Sequence, residues 1–275
     1  MDESEIYETF NVAVKNLNYK LAQEMIDKGV ENYTYGGQYG KGVALDGALL
    51  QSARNGHAEM VKFILDRGVN INYDRDYVLE LAVRKCHLDV VRLLLDRGAD
   101  VFANNGYILV NAAENGNVEV MGLLLNKVAD THARKDEALR RPLINAAMNG
   151  HLEVVKLLVE KIGKINAYNN RFFLRLAAEN GHLEVVKFLV ENGAKINAYN
   201  NYVLRCLAKF CNLKMVEVIL IDYNVKISNK TMDEFKNNHP NVYELILKRD
   251  LNESLKEKLK SSPDKQKIKT RTMKI

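Results

Sequence analysis

The sequence predicts an all-α repeat solenoid of about eight helix-turn-helix units with short finger loops, terminal caps and a basic C-terminal tail. The first observation is that residues 180–201, NGHLEVVKFLVENGAKINAYNN, agree with residues 149–170 at 18 of 22 positions. The second is that weaker copies begin at Asn55, Cys86, Asn115 and Cys211. Self-similarity at a period near 30 residues indicates one supersecondary unit stacked many times, because a single unit cannot bury its apolar face alone.

The third observation is that each copy has the apolar spacing of two helices. In the best copy, Leu174, Ala177 and Ala178 fall at helical spacing, Asn180 and Gly181 interrupt it, and a second helical run follows until a glycine. Small alanines in the first helix allow close approach of neighbouring helices, while bulkier Leu and Val in the second fill the space between units. The unit is therefore helix, tight turn, helix and glycine stop, followed by a short finger.

The turn position is glycine in four copies and fixes the register of all six. Its occupants are Gly56, Cys86, Gly116, Gly150, Gly181 and Cys211, spaced 30, 30, 34, 31 and 30 residues apart. The long spacing contains THARKDEALRRP, residues 131–142, so we expect a protruding basic finger there. Val128 and Ile162 stand where a glycine should end the second helix, and we expect distortion around both because β-branched residues resist positive φ.

The copies resemble the ankyrin repeat family over about residues 44–230, most closely in LAAENGHLEVVKFLVENGAKINA at 176–198. The Thr-Pro-Leu-His that opens that family's first helix appears only in part, at 141–144; most other copies have an aromatic residue, an apolar residue and Leu. The expected replacement caps are the polar residues just before the aromatics, since Asn and Asp cap helices well. They are Asp76, Asn105, Asn170 and Asn201.

We expect one continuous array with four parts. Residues 1–43 form an N-terminal capping helix pair and a Gly/Tyr-rich loop, residues 44–230 form six ankyrin-like repeats, and residues 231–250 form a C-terminal cap. Residues 251–275 form a basic tail that we expect to be disordered from Ser261 onward, although Leu251, Leu255 and Leu259 could extend the final helix.

The composition favours a cytoplasmic monomer. The net charge of +5 lies in the tail, because residues 251–275 hold eight basic and three acidic residues. No apolar run is long enough for a membrane helix, the acidic N-terminus is unlike a secretory signal, and three cysteines without paired spacing fit a reducing compartment. The tail leaves a nuclear location, a nucleic-acid contact or a membrane tether open beside a purely solubilising role.

The sequence predicts no enzyme, cofactor, metal or small-molecule substrate. The cluster of Gly36, Gly37, Gly40, Lys41 and Gly42 lacks the spacing and hydroxyl of a phosphate loop, so we expect a plain loop. Four histidines recur, but each opens the second helix of a different unit, about 8–10 Å from the next. They are His57, His87, His151 and His182. Nucleic acid is disfavoured because the tail lacks aromatics for base stacking.

The resemblance implies a binding groove made by the finger tips and the exposed sides of the first helices. The corresponding finger-tip positions are Asp74, Asn104, Arg134, Tyr168, Tyr199 and Lys230. The positions near the end of the first helix are Arg54, Arg84, Glu114, Met148, Glu179 and Lys209. Arg175 and Arg205 take the place of the missing motif His and are expected to face the groove as well. Tyr168, Tyr199 and Met148 are the expected apolar anchor, unless the tyrosines merely cover neighbouring fingers.

These observations predict a non-enzymatic scaffold that binds a protein partner of unknown identity in the groove. One alternative is an adaptor that recruits a host ubiquitin ligase or another complex. The other alternative is a structural repeat array without a dedicated ligand. The near-identical copies and the Asn, Lys, Ile and Tyr bias resemble the expanded ankyrin sets of large DNA viruses and intracellular bacteria, which would place the chain in the cytoplasm of a host cell.

Overall fold

The computed structural model describes residues 1–30, 43–71, 77–129, 135–163, 170–210, 213–223 and 225–261. The chain divides into two compact units, Met1–Gly163 and Lys164–Ile275, here called unit 1 and unit 2. The described residues are helical and contain no β-strand. None of the helices in these ranges has both the length and the hydropathy needed to cross a membrane.

The described ranges hold sixteen helices in eight consecutive pairs, as the repeat pattern predicts. Unit 1 contains α1 Glu3–Lys15, α2 Tyr19–Asp27, α3 Val43–Asn55, α4 Ala58–Leu65, α5 Tyr77–Arg84, α6 Leu88–Asp96, α7 Ala103–Asn115, α8 Val118–Ala129, α9 Lys135–Asn149 and α10 Leu152–Ile162. Unit 2 contains α11 Asn170–Glu179, α12 Leu183–Glu191, α13 Ala198–Lys209, α14 Leu213–Asp222, α15 Asn229–Asn238 and α16 Pro240–Ser261.

The helices of each unit form two layers. In unit 1 the first helices α1, α3, α5, α7 and α9 pack in succession, and so do the second helices α4, α6, α8 and α10. In unit 2, α11, α13 and α15 pack in succession and α14 packs on α16. The first-helix alanines Ala82, Ala112 and Ala177 are fully buried, as are Val91 and Leu94 of α6. Small residues therefore bring the first helices together, and branched residues fill the space between the layers.

Both terminal helix pairs exist, and the last helix is longer than predicted. Asp2 and Glu5 form a capping box at the start of α1. At the other end α16 continues to Ser261, so residues 251–261 are helix and only part of the predicted tail lacks a described structure. Leu251 and Leu255 extend this helix, as the sequence allowed, while residues 262–275 lie outside the described ranges.

The predicted finger at residues 131–142 is wrong for most of its length. Helix α9 already begins at Lys135 and contains Pro142, so the extra residues of this repeat lengthen its first helix. Within the residues that the structure describes, the expected distortion is also not seen at the two missing glycines. Val128 stays helical and buried in α8, and Ile162 is followed by Gly163, which takes the positive φ of 83° one residue later.

The predicted N-caps are wrong at two of the positions that the structure describes. Asn105 and Asn201 have φ values of 57° and 58° and lie inside the bounds of α7 and α13. Asn tolerates this left-handed region better than other side chains do, because its short amide can bond locally. These two asparagines therefore shape a left-handed turn at the start of the first helix. Asn170 is the first residue of α11, and Asp76 lies outside the described residues.

Candidate functional site

Two of the recurring histidines, His87 and His151, join their repeats to the preceding ones. The Nε2 of His87 lies 2.9 Å from the backbone carbonyl of Arg54, and the Nε2 of His151 lies 2.8 Å from that of Glu114. The carbonyls belong to the last turns of α3 and α7, where a helix has no backbone donor of its own. Each histidine thus satisfies an open helix end of the preceding repeat, which is the structural role predicted for these residues.

The turn glycines leave room for these histidine rings. Gly56 and Gly116 have φ values of 79° and 70°, which favour glycine. A Cβ at Gly56 would stand 2.6 Å from the Nδ1 of His87, and one at Gly116 would stand 2.3 Å from the Nδ1 of His151. Because both distances are far below van der Waals contact, backbone conformation and packing each require glycine here.

We call each hydrogen-bonded contact between consecutive repeats a joint. The repeat that lacks the histidine makes its joint through a different side chain. Cys86 occupies the turn position with φ 57°, and the next repeat has Asn117 where four of the six copies have His. There the Nδ2 of Asn115 donates to the carbonyl of Arg84 at 3.2 Å. A side chain at the turn position therefore occurs where no histidine ring follows, and an asparagine supplies the lost hydrogen bond.

Side chains on α3, α5 and α7 form a row that we name the unit 1 stripe, in which every member is exposed except the half-buried Glu80. On α5 and α7 its members lie at spacings of three, four or seven residues, which keeps them on one helix face. The unit 1 stripe consists of Arg54, Tyr77, Glu80, Arg84, Tyr107 and Glu114. Tyr77 and Tyr107 are 36% and 45% exposed, although they are large aromatic residues. The guanidinium of Arg141, on α9, lies over the Tyr107 ring at 4.7 Å and extends the row.

In unit 2, the arginines that were expected to face a groove bridge neighbouring first helices. The Nη1 of Arg175 donates to the Oη of Tyr202 at 3.2 Å, and its Nε lies 3.6 Å from Glu179. The bond to Tyr202 raises the pKa of the Arg175 guanidinium above its ordinary value, and the charge of Glu179 adds to this while burial opposes it. Beside this cluster, burial raises the pKa of the Cys206 thiol. The Nε of Arg205 lies 2.8 Å from Glu234 on α15.

The same bridging position recurs in unit 1. Glu80 stands six residues before the turn position, like Arg175 and Arg205, and accepts hydrogen bonds from the Nδ2 atoms of Asn104 and Asn111 at 3.1 and 3.3 Å. Sequence reasoning missed Glu80 and the bridging partners Tyr202 and Glu234. The sequence does show a polar residue six positions before the turn position in these repeats. Whether that residue bridges to another helix depends on which side chains the neighbouring helix offers.

The predicted site residues other than Arg175 and Arg205 divide into three groups. Arg54, Arg84, Glu114 and Lys209 are exposed in the last turns of their first helices, while Met148 and Glu179 are half-buried there. Tyr199 and Lys230 lie in the first turns of α13 and α15 and not at finger tips, whereas Asn104, with φ 52°, lies in the left-handed kink that precedes the helical part of α7. Asp74, Arg134 and Tyr168 lie outside the described residues, as does the glycine-rich loop at 36–42.

The histidine positions do not converge on a metal site. His57, His87, His151 and His182 are the N-cap residues of α4, α6, α10 and α12. Across the ranges that the structure describes, no three His, Cys, Asp or Glu side chains are grouped so that they could hold a metal ion.

Stacked helix pairs joined by repeated contacts define a helical repeat protein. Comparisons with known proteins identify the family of helical repeats. The sequence model described as ankyrin repeats (3 copies) matches residues 10–105 and 109–200. The chain therefore belongs to the ankyrin repeat family, and its fold is an all-α repeat solenoid. Ankyrin repeats are in general protein–protein interaction modules.

Solved structures agree with this assignment. The crystal structure of the human ASB11 ankyrin repeat domain is 24% identical in sequence, covers 65% of this chain and 84% of its own, and superposes with a TM-score of 0.55. At this identity the likeness concerns the fold. A search of curated protein sequences finds no match.

Proposed function

We propose that this chain is a non-catalytic scaffold that binds a protein partner on its first helices, with the unit 1 stripe as the principal contact. The observation that carries the proposal is the exposure of Tyr77 and Tyr107 on adjacent helices, with Arg84 and Arg141 beside them. Tyr and Arg are enriched among residues that dominate binding energy at protein interfaces. The unit 1 stripe of the unbound chain therefore already exposes the residue types that contribute most binding energy at protein interfaces.

The joints between repeats explain how such a surface gains affinity. The histidine and asparagine hydrogen bonds hold α3, α5, α7 and α9 in fixed succession. A partner then does not have to order the surface that it binds, which lowers the entropic cost of association. Specificity would follow from which few side chains project from each helix.

The charges of the stripe favour a protein over a nucleic acid. Arg54, Arg84 and Arg141 are interleaved with Glu80 and Glu114. A phosphate backbone would be repelled by the two carboxylates, and proteins that bind it neutralise it with clustered Lys and Arg. A protein surface of mixed charge with an apolar centre fits this row better.

The remaining predicted residues extend the proposed surface. Met148 on α9 continues the row of unit 1, and Glu179 and Lys209 are its counterparts in unit 2. We retain Asp74, Asn104, Arg134, Tyr168, Arg175, Tyr199, Arg205 and Lys230 as proposed contributors. A scaffold in the cytoplasm of a host cell, and an adaptor that recruits a host ubiquitin ligase, remain proposals of the same kind.

Affinity capture from a eukaryotic cell lysate tests the proposal. The variant Tyr77→Ala with Tyr107→Ala should lose the partner that the unaltered chain captures. The matched control is Val118→Ala with Ile221→Ala, which removes apolar side chains that are 40% and 62% exposed on the second helices α8 and α14. Circular dichroism establishes that each variant keeps its helix content.

The outcomes separate the candidate functions. Loss of the partner in the tyrosine variant alone supports binding on the first helices. Loss only after truncation at Ser261 would assign recruitment to the C-terminal tail and favour the adaptor. If the tyrosine variant and the control retain the same partners, the stripe is not the docking surface and the proposal fails.

A further inference from the structure

Helix α16 extends beyond the helices that bury it. It packs on α14 and α15 through one face, where Val242 and Ile246 are buried. Every residue from 251 to 258 is exposed, although the helix has 22 residues and continues to Ser261. Asn252, Glu253 and Lys256 still line a cavity with Glu217, Leu220 and Ile221 of α14, so this stretch is only partly covered by its own chain. A partly covered helix is marginal in water, because tertiary contacts supply most of the stability of protein helices. This end of α16 is therefore suited to packing against another molecule.

The exposed face of α16 carries an apolar row opposite its buried face. Leu247, Leu251 and Leu255 are 45%, 61% and 49% exposed and follow one another at intervals of four residues. Glu244 and Lys258 stand at the two ends of the row, three residues beyond the outer leucines. We name these five residues the α16 row. Single exposed leucines are ordinary, but three on successive turns form a continuous patch of the kind that marks an interaction site.

The α16 row is complementary to a second copy of itself that runs antiparallel to it. Its spacings of three, four, four and three residues are symmetric about Leu251. In an antiparallel pair Leu251 meets its own copy, Leu247 faces Leu255, and Glu244 faces Lys258 at both ends. A parallel pair would instead set Glu against Glu and Lys against Lys. A two-fold axis generates the antiparallel arrangement, because an isologous interface uses one patch on both subunits.

We propose that the α16 row binds a second copy of this chain, antiparallel and centred on Leu251. The row spans 15 residues, a rise of about 21 Å along the helix. Three leucines from each copy bury less area than the roughly 1,200–2,000 Å² of a stable specific interface, so the dimer forms reversibly as the protein is concentrated. This proposal goes beyond partner binding on the first helices and replaces the sequence-based expectation of a monomer.

Sedimentation velocity over a series of concentrations measures the association. The mass of the unaltered chain should rise from 31.3 kDa towards twice that value. Leu251→Glu sets two carboxylates against each other on the axis and should hold the chain at the monomer mass. Val12→Glu, at a helical position of unit 1 that is 54% exposed, is the matched control and should dimerise like the unaltered chain.

Charge reversal and cysteine pairing test the register. Glu244→Lys or Lys258→Glu alone should weaken the dimer, and the two together should restore it. Under mild oxidation Leu251→Cys should link to itself, while Leu247→Cys should link only when mixed with Leu255→Cys. The unaltered chain, with its own three cysteines, gives the background.

Three results would overturn the proposal. The first is a monomer at every concentration, which would leave the row for a different protein. The second is a dimer that Leu251→Glu does not weaken, which would place the interface elsewhere. The third is self-linking of Leu247→Cys, which would show a parallel pair.

Discussion

At the scale of single residues, the stacking of repeats depends on a glycine and the histidine that covers it. Gly116 has a φ of 70°, and a Cβ there would stand 2.3 Å from the Nδ1 of His151. The same histidine bonds the carbonyl of Glu114, two residues before that glycine. A glycine at the turn position thus allows the positive φ of its own repeat and leaves space for the histidine ring of the next repeat.

This double constraint predicts that Gly116→Ala is more harmful than an alanine at a glycine with open space. Gly98 has a φ of 91° with no atom within 4 Å of its added Cβ, so Gly98→Ala should cost about 1–2 kcal/mol for the backbone alone. Gly116→Ala should cost about 1–3 kcal/mol more through overpacking. Urea unfolding followed by circular dichroism compares the two free energies of unfolding.

The natural pair of Cys86 and Asn117 provides the control for this comparison. Adding His151→Asn to Gly116→Ala removes the ring and should recover part of the loss, as in the repeat that contains Cys86. Equal losses for Gly98→Ala and Gly116→Ala would contradict the packing argument. So would a double variant that is no more stable than Gly116→Ala.

At the scale of elements, Asn201 fastens the start of α13 to the segment that leads into α15. It is 2% exposed, its Nδ2 donates to the carbonyl of Lys226 at 2.9 Å, and its Oδ1 accepts from the backbone N–H of Ser228 at 3.2 Å. Ser228 is in turn the N-cap of α15 and accepts from Thr231. One buried amide therefore sets the position of two successive first helices.

Asn201→Ala should destabilise unit 2 by about 2–3 kcal/mol, because two part-buried backbone groups lose their hydrogen-bond partner and the left-handed φ loses its tolerant side chain. Hydrogen exchange should speed up most in residues 225–235. Asn105→Ala, at an exposed residue with nearly the same φ of 57°, should cost about 1 kcal/mol and is the control. Similar losses for both variants would show that the bonds to Lys226 and Ser228 contribute little.

The helix pairs could be predicted from the sequence because apolar spacing and turn glycines are local signals. The pairing of α1 with α2 and the first-helix positions of Arg84 and Glu114 followed from them. The starts of the first helices did not, since the left-handed asparagines and the continuous α9 depend on contacts with the neighbouring repeat. The bridges made by Arg175 and Arg205 were missed for the same reason: a polar residue on a first helix can face solvent or the next helix, and only the packed structure decides which.

At the scale of the molecule, the described repeats of each unit contribute two kinds of surface. The turn residues and bridging polar residues hold neighbouring repeats together, and the outer residues of the first helices remain exposed. Val118 and the charged residues of the second helices face solvent on the other layer. Binding on the first helices can therefore vary by substitution of exposed side chains without disturbing the joints.

Hydrogen exchange of the chain with and without its captured partner tests this account most directly. We predict protection of α5 and α7, centred on residues 77–84 and 107–114, with little change in α6 and α8. The variant Tyr77→Ala with Tyr107→Ala should abolish that protection at the same partner concentration. Protection confined to α6 and α8, with α5 and α7 unchanged, would contradict the claim that the first helices form the binding surface.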